Sequence, residues 1–420
     1  MYNITYSIQK KLPVIYNENT IFRVEEPFVK KTLTIRYTLQ QMAYWAAAAG
    51  ILSFASAFLL EKGFTTAQVG TLLASGNILS CIVQPLLADR ADRAGTQVIT
   101  RYIVGLTLLC GACFVVIQLL PLSQTLFGLL YLMGVFTFDA MMPLLNSVCV
   151  AYNEQNYRIN YGVGRGIGSF AYSLAALAIG KVIAGLGADW MIWIVLVLLA
   201  ANVVITLGYP RLGIQAVREK QVSECCSIPV FFKRYKWYCL SLLGVMLLAM
   251  FHAMTENYLI KIMGRLGGDS GSVGIALFIA TAIEMPVILW FDSVRRHISD
   301  NRLLKLAGLS FLLKAVLLLA APSVTAIYLI QLLQATSYSF LSPTQLYYAN
   351  AKVQQADMVK GQAFITASYT LGCAIGNFTG GQLLDVFDVQ ALLVAGIVMA
   401  AAGTLVLFLT VDRRDWIVTE

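Results

Sequence analysis

The segment YPRLGIQAVREKQVSECCSIPVFFKRYK, residues 209–236, decides the fold. It is the longest internal polar stretch in a chain that is otherwise a succession of apolar runs. Six runs precede it, near 37–60, 66–88, 98–120, 124–151, 159–186 and 188–208. Six follow, near 237–262, 272–292, 301–321, 324–350, 359–384 and 389–411. Each is about as long as the ~20 residues a helix needs to cross a bilayer. Helices are expected rather than barrel strands, because the runs do not alternate and a helix satisfies its own backbone groups in lipid. The expectation is an all-α membrane protein with twelve transmembrane helices in two six-helix pseudo-repeats. Its parts are a tail over 1–33, a bundle over 34–208, the linker 209–236, a second bundle over 237–411 and a short tail over 412–420.

Composition supports this. Of 420 residues, 58% are hydrophobic and 12% charged, against about 25% charged in soluble domains. The lipid bilayer is therefore the first partner. The net charge of +8 does not indicate nucleic acid, since the Lys and Arg are scattered over short loops and make no basic face. Their distribution sets an orientation instead. Of the 30, 24 fall on the side of the termini and four (Lys62, Lys181, Lys261 and Arg265) on the other, with Arg165 and Lys314 inside spans. By the positive-inside rule both termini are expected in the cytoplasm, in a multi-pass protein of the cell membrane.

The eight cysteines form no disulfide or zinc framework; Cys110 and Cys113 read as packing residues. GGDSGS at 267–272 resembles a serine-protease motif only in letters, since it sits in a hairpin between two spans. GVGRGIG at 162–168 opens a membrane helix without a preceding strand, so its glycines are expected to permit close helix contact, not nucleotide binding. No cofactor and no metal are expected.

Ionisable residues at bilayer depth are costly and mark function. They are Asp139 in the fourth span, Arg165 in the fifth, His252 and Glu256 in the seventh, Glu284 in the eighth and Lys314 in the ninth. Asp139 and Asn146 are seven apart and share a helix face; so do His252 and Glu256, four apart, which can share a proton. On a continuous helical wheel Gln331, Gln334, Tyr338, Ser342 and Gln345 of the tenth span form one polar stripe. Uncharged donors and acceptors beside an aromatic ring suit a neutral polyhydroxylated solute. Gln41, Tyr44, Trp45 and Asn77 are expected to complete that lining.

The halves also repeat weakly. Gly162 and Ser169 in YGVGRGIGS correspond to Gly361 and Ser368 in KGQAFITAS. Parallel six-helix repeats around a midplane site are a transporter architecture. LLADRADRAGTQ, residues 86–97, sits between the second and third spans and carries Leu87, Ala88, Asp89, Arg90 and Arg93. It resembles the G-x-L-A-D-R-x-G-R loop of the major facilitator superfamily, with Pro85 and Asp92 where that pattern has glycine. The segments MPLLNSVCVAYNEQNYRINYGVGRGIGS, IEMPVIL and GQAFITASYTLGCAIGNFTGGQLLD are similar to the branch holding lactose permease, nucleoside–proton symporters and phenylpropionate permeases.

The resemblance implies gating by Asp89, Arg90 and Arg93. It implies two charge pairs, Asp139 with Arg165 for substrate and Glu284 with Lys314 for proton coupling, alongside His252 and Glu256. Val163 and Lys314 stand where these relatives have arginine, and Gln334 stands where they have a coupling histidine, with no acid following it. The expected function is secondary active transport of a small polar solute (a sugar, oligosaccharide or nucleoside) by alternating access with proton symport, in a functional monomer. The alternatives are an efflux antiporter of amphipathic compounds, a channel and a membrane enzyme. The last would need a clustered nucleophile or metal site, which the sequence does not contain.

Overall fold

The computed structural model describes residues 26–210 and 227–413 except 95, 155, 156, 158, 355 and 356, and except the side chains of 26–31, 88–97, 154 and 359. Its helices are α1 (Glu26–Ala48), α2 (Ala55–Glu61), α3 (Thr66–Ala94), α4 (Thr96–Leu119), α5 (Gln124–Glu154), α6 (Tyr161–Leu186), α7 (Asp189–Leu207), α8 (Ile228–Arg234), α9 (Lys236–Asn257), α10 (Leu259–Gly264), α11 (Ser270–Leu289), α12 (Phe291–His297), α13 (Asp300–Ala320), α14 (Val324–Gln331), α15 (Tyr338–Lys352), α16 (Met358–Val386) and α17 (Val389–Thr410). Short oxygen-bearing side chains open several of them. Asn160 accepts from Val163 N at 3.1 Å, Asp269 from Ser272 N at 2.8 Å and Asp388 from Ala391 N at 2.8 Å. Each satisfies an amide that the first helical turn leaves unpaired.

Among the described residues ten helices are long and apolar enough to span a bilayer, α14 and α15 counting as one. The bent pair α1–α2, angled by 47° at a π-helical turn over Ala49–Ser53, makes an eleventh. At that turn Ile51 O, off the regular ladder, accepts from the buried Tyr131 hydroxyl at 2.8 Å. The twelfth pass is α16, 29 residues long but diluted by Gly, Thr, Asn and Gln. Its glycines trade hydropathy for proximity, as described below.

Packing repeats six passes apart. α1 packs on α6 and α7 as α9 packs on α16 and α17; α4 packs on α5 and α7 as α13 packs on α15 and α17. These are the two six-helix pseudo-repeats. Two helix pairs join them, α3 with α16 and α6 with α11.

Both joints are tightest at the end of the molecule away from the termini. A Cβ on Gly70 would come within 2.4 Å of Asn377 O, and one on Gly381 within 2.4 Å of Thr66 O. In the other joint a Cβ on Gly180 would meet Ser270 O at 2.6 Å, and one on Gly274 would meet Ala176 O at 2.6 Å. Only glycine allows backbones this close, and small-residue interfaces drive helix association in lipid. Among the described residues the hydrogen bonds between the two halves also lie at this far end. Ser56 donates to Asn257 O, and Thr66 Oγ1 donates to Asp385 Oδ1 at 3.4 Å.

The structure corrects three expectations of local form. The stretch 86–97 is not a loop in its first part, since α3 stays helical to Ala94. Asp89, Arg90 and Arg93 thus sit on the last turns of a helix, and their side chains lie outside the described residues. The seventh span ends at Asn257, and α10 continues the chain after Tyr258. The linker is not wholly irregular either. Residues 211–226 lie outside the described residues, but α8 is held to the start of α16, with Phe231 against Phe364 at 5.1 Å and Tyr235 OH donating to Asp357 Oδ2 at 3.0 Å.

Candidate functional site

On the first half the glycines of GVGRGIG place the aromatic residues of α1. A Cβ on Gly164 would meet the Tyr37 ring at 2.5 Å, and one on Gly168 the Trp45 ring at 2.8 Å. With α1 this close, Trp45 Nε1 donates to Gln41 Oε1 at 3.0 Å, and Gln41 Nε2 donates to Tyr37 OH at 3.0 Å. Gln41 is thus buried and used within its own helix. Arg165 lies with its guanidinium 3.9 Å from the centre of the Trp45 ring, a cation–π contact, and donates from Nη1 to Ser169 Oγ at 2.6 Å. Tyr44 stacks on Phe138 at 4.4 Å and meets Trp45 edge-on at 5.4 Å.

The expected Asp139–Arg165 ion pair does not form. Tryptophan and Ser169 hold the guanidinium instead, and the Asp139 carboxylate has no hydrogen bond or ion pair among the described residues. Asp139, Asn146 and Asn77 are partly exposed. Asp139 contributes through its backbone, whose carbonyl accepts from Gln84 Nε2 at 2.9 Å.

On the second half four side chains form a chain of polar contacts. Glu256 Oε1 lies 3.2 Å from Lys314 Nζ, which donates to Gln334 Oε1 at 2.8 Å; Gln334 Nε2 donates to Glu284 Oε1 at 2.9 Å. Lys314, Gln334 and Glu284 are buried, at 1%, 2% and 6% exposure. Lys314 therefore pairs with Glu256, and Gln334 separates it from Glu284. The geometry follows from a break in the tenth pass. After α14 the chain tightens into a 3₁₀ turn over Leu332–Ala335 and restarts as α15 at Tyr338. Hydroxyls take up the freed carbonyls: Ser337 Oγ donates to Leu333 O and Ser339 Oγ to Gln334 O, both at 2.9 Å.

That break also dissolves the continuous stripe read from the sequence. Gln331 is buried with its amide oxygen unpartnered, Gln345 is buried, and Tyr338 and Ser342 are partly exposed. His252 makes no hydrogen bond to Glu256 among the described residues. The His252 ring stacks on Tyr338 at 4.9 Å, nearly parallel at 14°, and its Nδ1 has no partner. Tyr338 in turn meets Tyr369 of α16 at 6.2 Å.

The two halves meet electrostatically. Glu284 lies within electrostatic reach of Arg165, as does Tyr338. Tyr172 of α6, bonded to Ser53 at the bend of the first pass, is within reach of Glu256, Glu284 and Tyr338. Tyr172 and Tyr369 were not singled out from the sequence. Tyr172 was findable, since it lies seven residues after Arg165 and so shares its helix face. Nothing in the sequence marks Tyr369.

A model of the MFS_1 like family matches residues 34–395. No curated protein matches the sequence. Solved structures similar in fold include two of the nucleoside transporter NupG. One is of a point mutant (TM-score 0.76, 14% identity, 91% of this chain and 100% of that one), and the other carries no stated substitution (TM-score 0.71, 16% identity, 91% and 98%). An auto-inhibited peptide transporter of the POT family is also similar (TM-score 0.67, 12% identity, 92% and 95%). These relatives are membrane transporters, not enzymes. With the family model spanning nearly all twelve passes, the chain belongs to the MFS_1-like family and is a multi-pass membrane protein with the fold of a major facilitator transporter.

Proposed function

We propose that the protein is a secondary active transporter that moves a small polar organic solute (a sugar, oligosaccharide or nucleoside) by alternating access and proton symport. The observation that carries this is the meeting of the Trp45–Arg165 platform of one half with the Glu284–Gln334–Lys314–Glu256 chain of the other. Buried ionic groups in lipid are retained where they act on a solute or a proton. The partly exposed rings of Trp45, His252 and Tyr338 are the aromatic surface for a sugar ring or a base, with the buried Tyr44 behind Trp45. The fold likeness to a nucleoside transporter supports the choice of solute class.

In this reading the bundles 34–208 and 237–411 rock about the site. The glycine joints close the far end, and the conformation faces the side of the termini, which we assign to the cytoplasm of the cell membrane from the Lys and Arg distribution. Asp89, Arg90 and Arg93 belong to the gate on that side. Glu284 is the proton carrier, and Gln334 links its state to Lys314. The test is uptake of labelled sugars and nucleosides into proteoliposomes with an imposed proton gradient. Accumulation abolished by an uncoupler supports symport. Dye extrusion without uptake would replace this reading with an antiporter.

A further inference from the structure

We propose that the groove between α4 and α7, at the end of the molecule that carries the termini, binds the phosphate of an anionic phospholipid. The inference needs the protein to lie in a bilayer and does not rest on the transported solute.

The groove encloses about 280 Å³ and is lined by Thr100, Arg101, Val104, Gly105, Leu207 and Tyr209, among others. Its depth is set by the spans. The apolar stretch of α4 begins at Val98 and that of α7 ends at Leu207, so Arg101 and Tyr209 sit at the boundary between hydrocarbon and headgroups. Two arginines stand near Tyr209, Arg101 in the groove lining with it and Arg36 outside that lining. Arg101 comes from α4. Arg36 comes from α1 and lies 5.9 Å from the Tyr209 ring centre, beside Gly208. Neither has an acidic partner among the described residues. The Tyr209 hydroxyl is already committed to Gln40 Oε1 at 2.9 Å, which leaves its ring as a wall.

The remainder of the site is apolar and open. A Cβ on Gly105 would meet nothing within 4 Å. Arg101, Val104, Gly105 and Leu108 recur at helical spacing along one face of α4, and Leu108 is 57% exposed. Charge at the headgroup level with an uncovered apolar track beneath it fits a phosphodiester bearing an acyl chain. Basic pockets between transmembrane helices recognise such headgroups. A zwitterionic choline lipid brings its own cation toward Arg101, with Arg36 adding positive charge nearby, so the site favours an anionic headgroup.

The test is native mass spectrometry of the full chain, titrated with phosphatidylglycerol or phosphatidylcholine. Wild type should retain phosphatidylglycerol in preference. R101Q should lower that retention about fivefold, on the order of one basic contact at a membrane surface. R101K should restore most of it, and G105L should lower it with both charges intact. R101K also controls for folding, as does an unchanged unfolding temperature for R101Q. Equal retention of the two lipids by wild type, or unchanged retention in both R101Q and G105L, would overturn the proposal. So would displacement of the lipid by millimolar glycerol phosphate, which would mark a site for free phosphate.

Discussion

Lys314 finds its counter-ion in Glu256, 3.2 Å away on α9, and reaches Glu284 only through the amide of Gln334. This inverts the pairing that the sequence suggests and makes the three acidic and basic positions unequal. Lys314 is 1% exposed, so losing Glu256 strands a buried cation. Breaking one partner of a buried pair costs about 3–5 kcal/mol, whereas replacing both by neutral groups is often tolerated. Glu256→Gln should therefore lower the unfolding temperature in detergent more than the double change of Glu256→Gln with Lys314→Met. If the two unfold alike, the pair is not holding α9 to α13.

Glu284 plays a different part. Its carboxylate accepts from Gln334, so Glu284→Gln keeps the shape and removes the group proposed to carry the proton. We expect accumulation driven by a proton gradient to vanish while counterflow exchange of labelled solute continues. Gln334→Leu should impair both, since it leaves Glu284 and Lys314 without their shared amide. Accumulation that survives Glu284→Gln would remove Glu284 as the carrier of the proton.

Much of the architecture was legible in the sequence because the bilayer imposes length and apolarity on every span, and because glycines announce close contact before their partners are known. The pairings were less legible. A smooth helical wheel puts Gln334 on a continuous polar stripe, but in the structure the 3₁₀ turn at Leu332–Ala335 breaks that helix and Gln334 bonds to Lys314 and Glu284. A break that seryl hydroxyls satisfy leaves no Gly or Pro at the turn to signal it. Opposite charge and the family resemblance both pair Asp139 with Arg165, yet the face of Trp45 holds the guanidinium. The helical extension through the charged stretch to Ala94 was hidden for the opposite reason, since charge density reads as loop when the membrane boundary is drawn by hydropathy alone.

The Arg165–Trp45 contact predicts a split in kinetic parameters. A guanidinium lies flat on an indole face, and an ammonium does not reproduce its planar stacking. Trp45→Ala leaves the Arg165 guanidinium without the ring that holds it, a contact of about 1–2 kcal/mol, and removes a ring proposed to face the solute, so the half-saturation concentration for uptake should rise, by roughly tenfold at most if all of that energy bears on solute binding. Arg165→Lys should raise it less, with a similar maximal rate. Equal half-saturation in wild type and Trp45→Ala would take the Trp45 ring out of the solute path.

The N-cap of α11 makes a smaller, independent prediction at the far surface. Asp269 accepts from both the backbone N and the hydroxyl of Ser272 at 2.8 Å, bonds that hold its carboxyl below the usual range. A lowered folded-state value means that the contribution is fully present above the ordinary carboxylate value and is lost as pH falls from there through the lowered folded-state value. Asp269→Ala should cost about 1 kcal/mol at neutral pH. In thermal melts the difference from wild type should shrink on acidification below pH ~4.

In the proposed alternating-access cycle the glycine joints should decide which end of the molecule opens. At Gly180 a Cβ would press within 2.6 Å of the Ser270 carbonyl and 2.8 Å of the Gly274 Cα, both backbone atoms that cannot swing aside. Gly180→Ala therefore penalises the far-closed conformation without touching the solute site, while the far-open conformation, in which α6 and α11 separate there, escapes the clash. A ligand or substitution shifts an equilibrium only by its differential effect on the two states, and here that difference is large. Spin labels at Thr65→Cys and Val386→Cys, exposed on opposite halves beside the α3–α16 joint at the same far end, report the opening, because two rigid bundles that part at one far-end joint part at the other. In Gly180→Ala the distance distribution should move toward longer values. Gly105→Ala, where the added Cβ meets nothing, should leave it unchanged. A distribution identical to wild type in Gly180→Ala would mean that the α6–α11 joint does not open during the cycle.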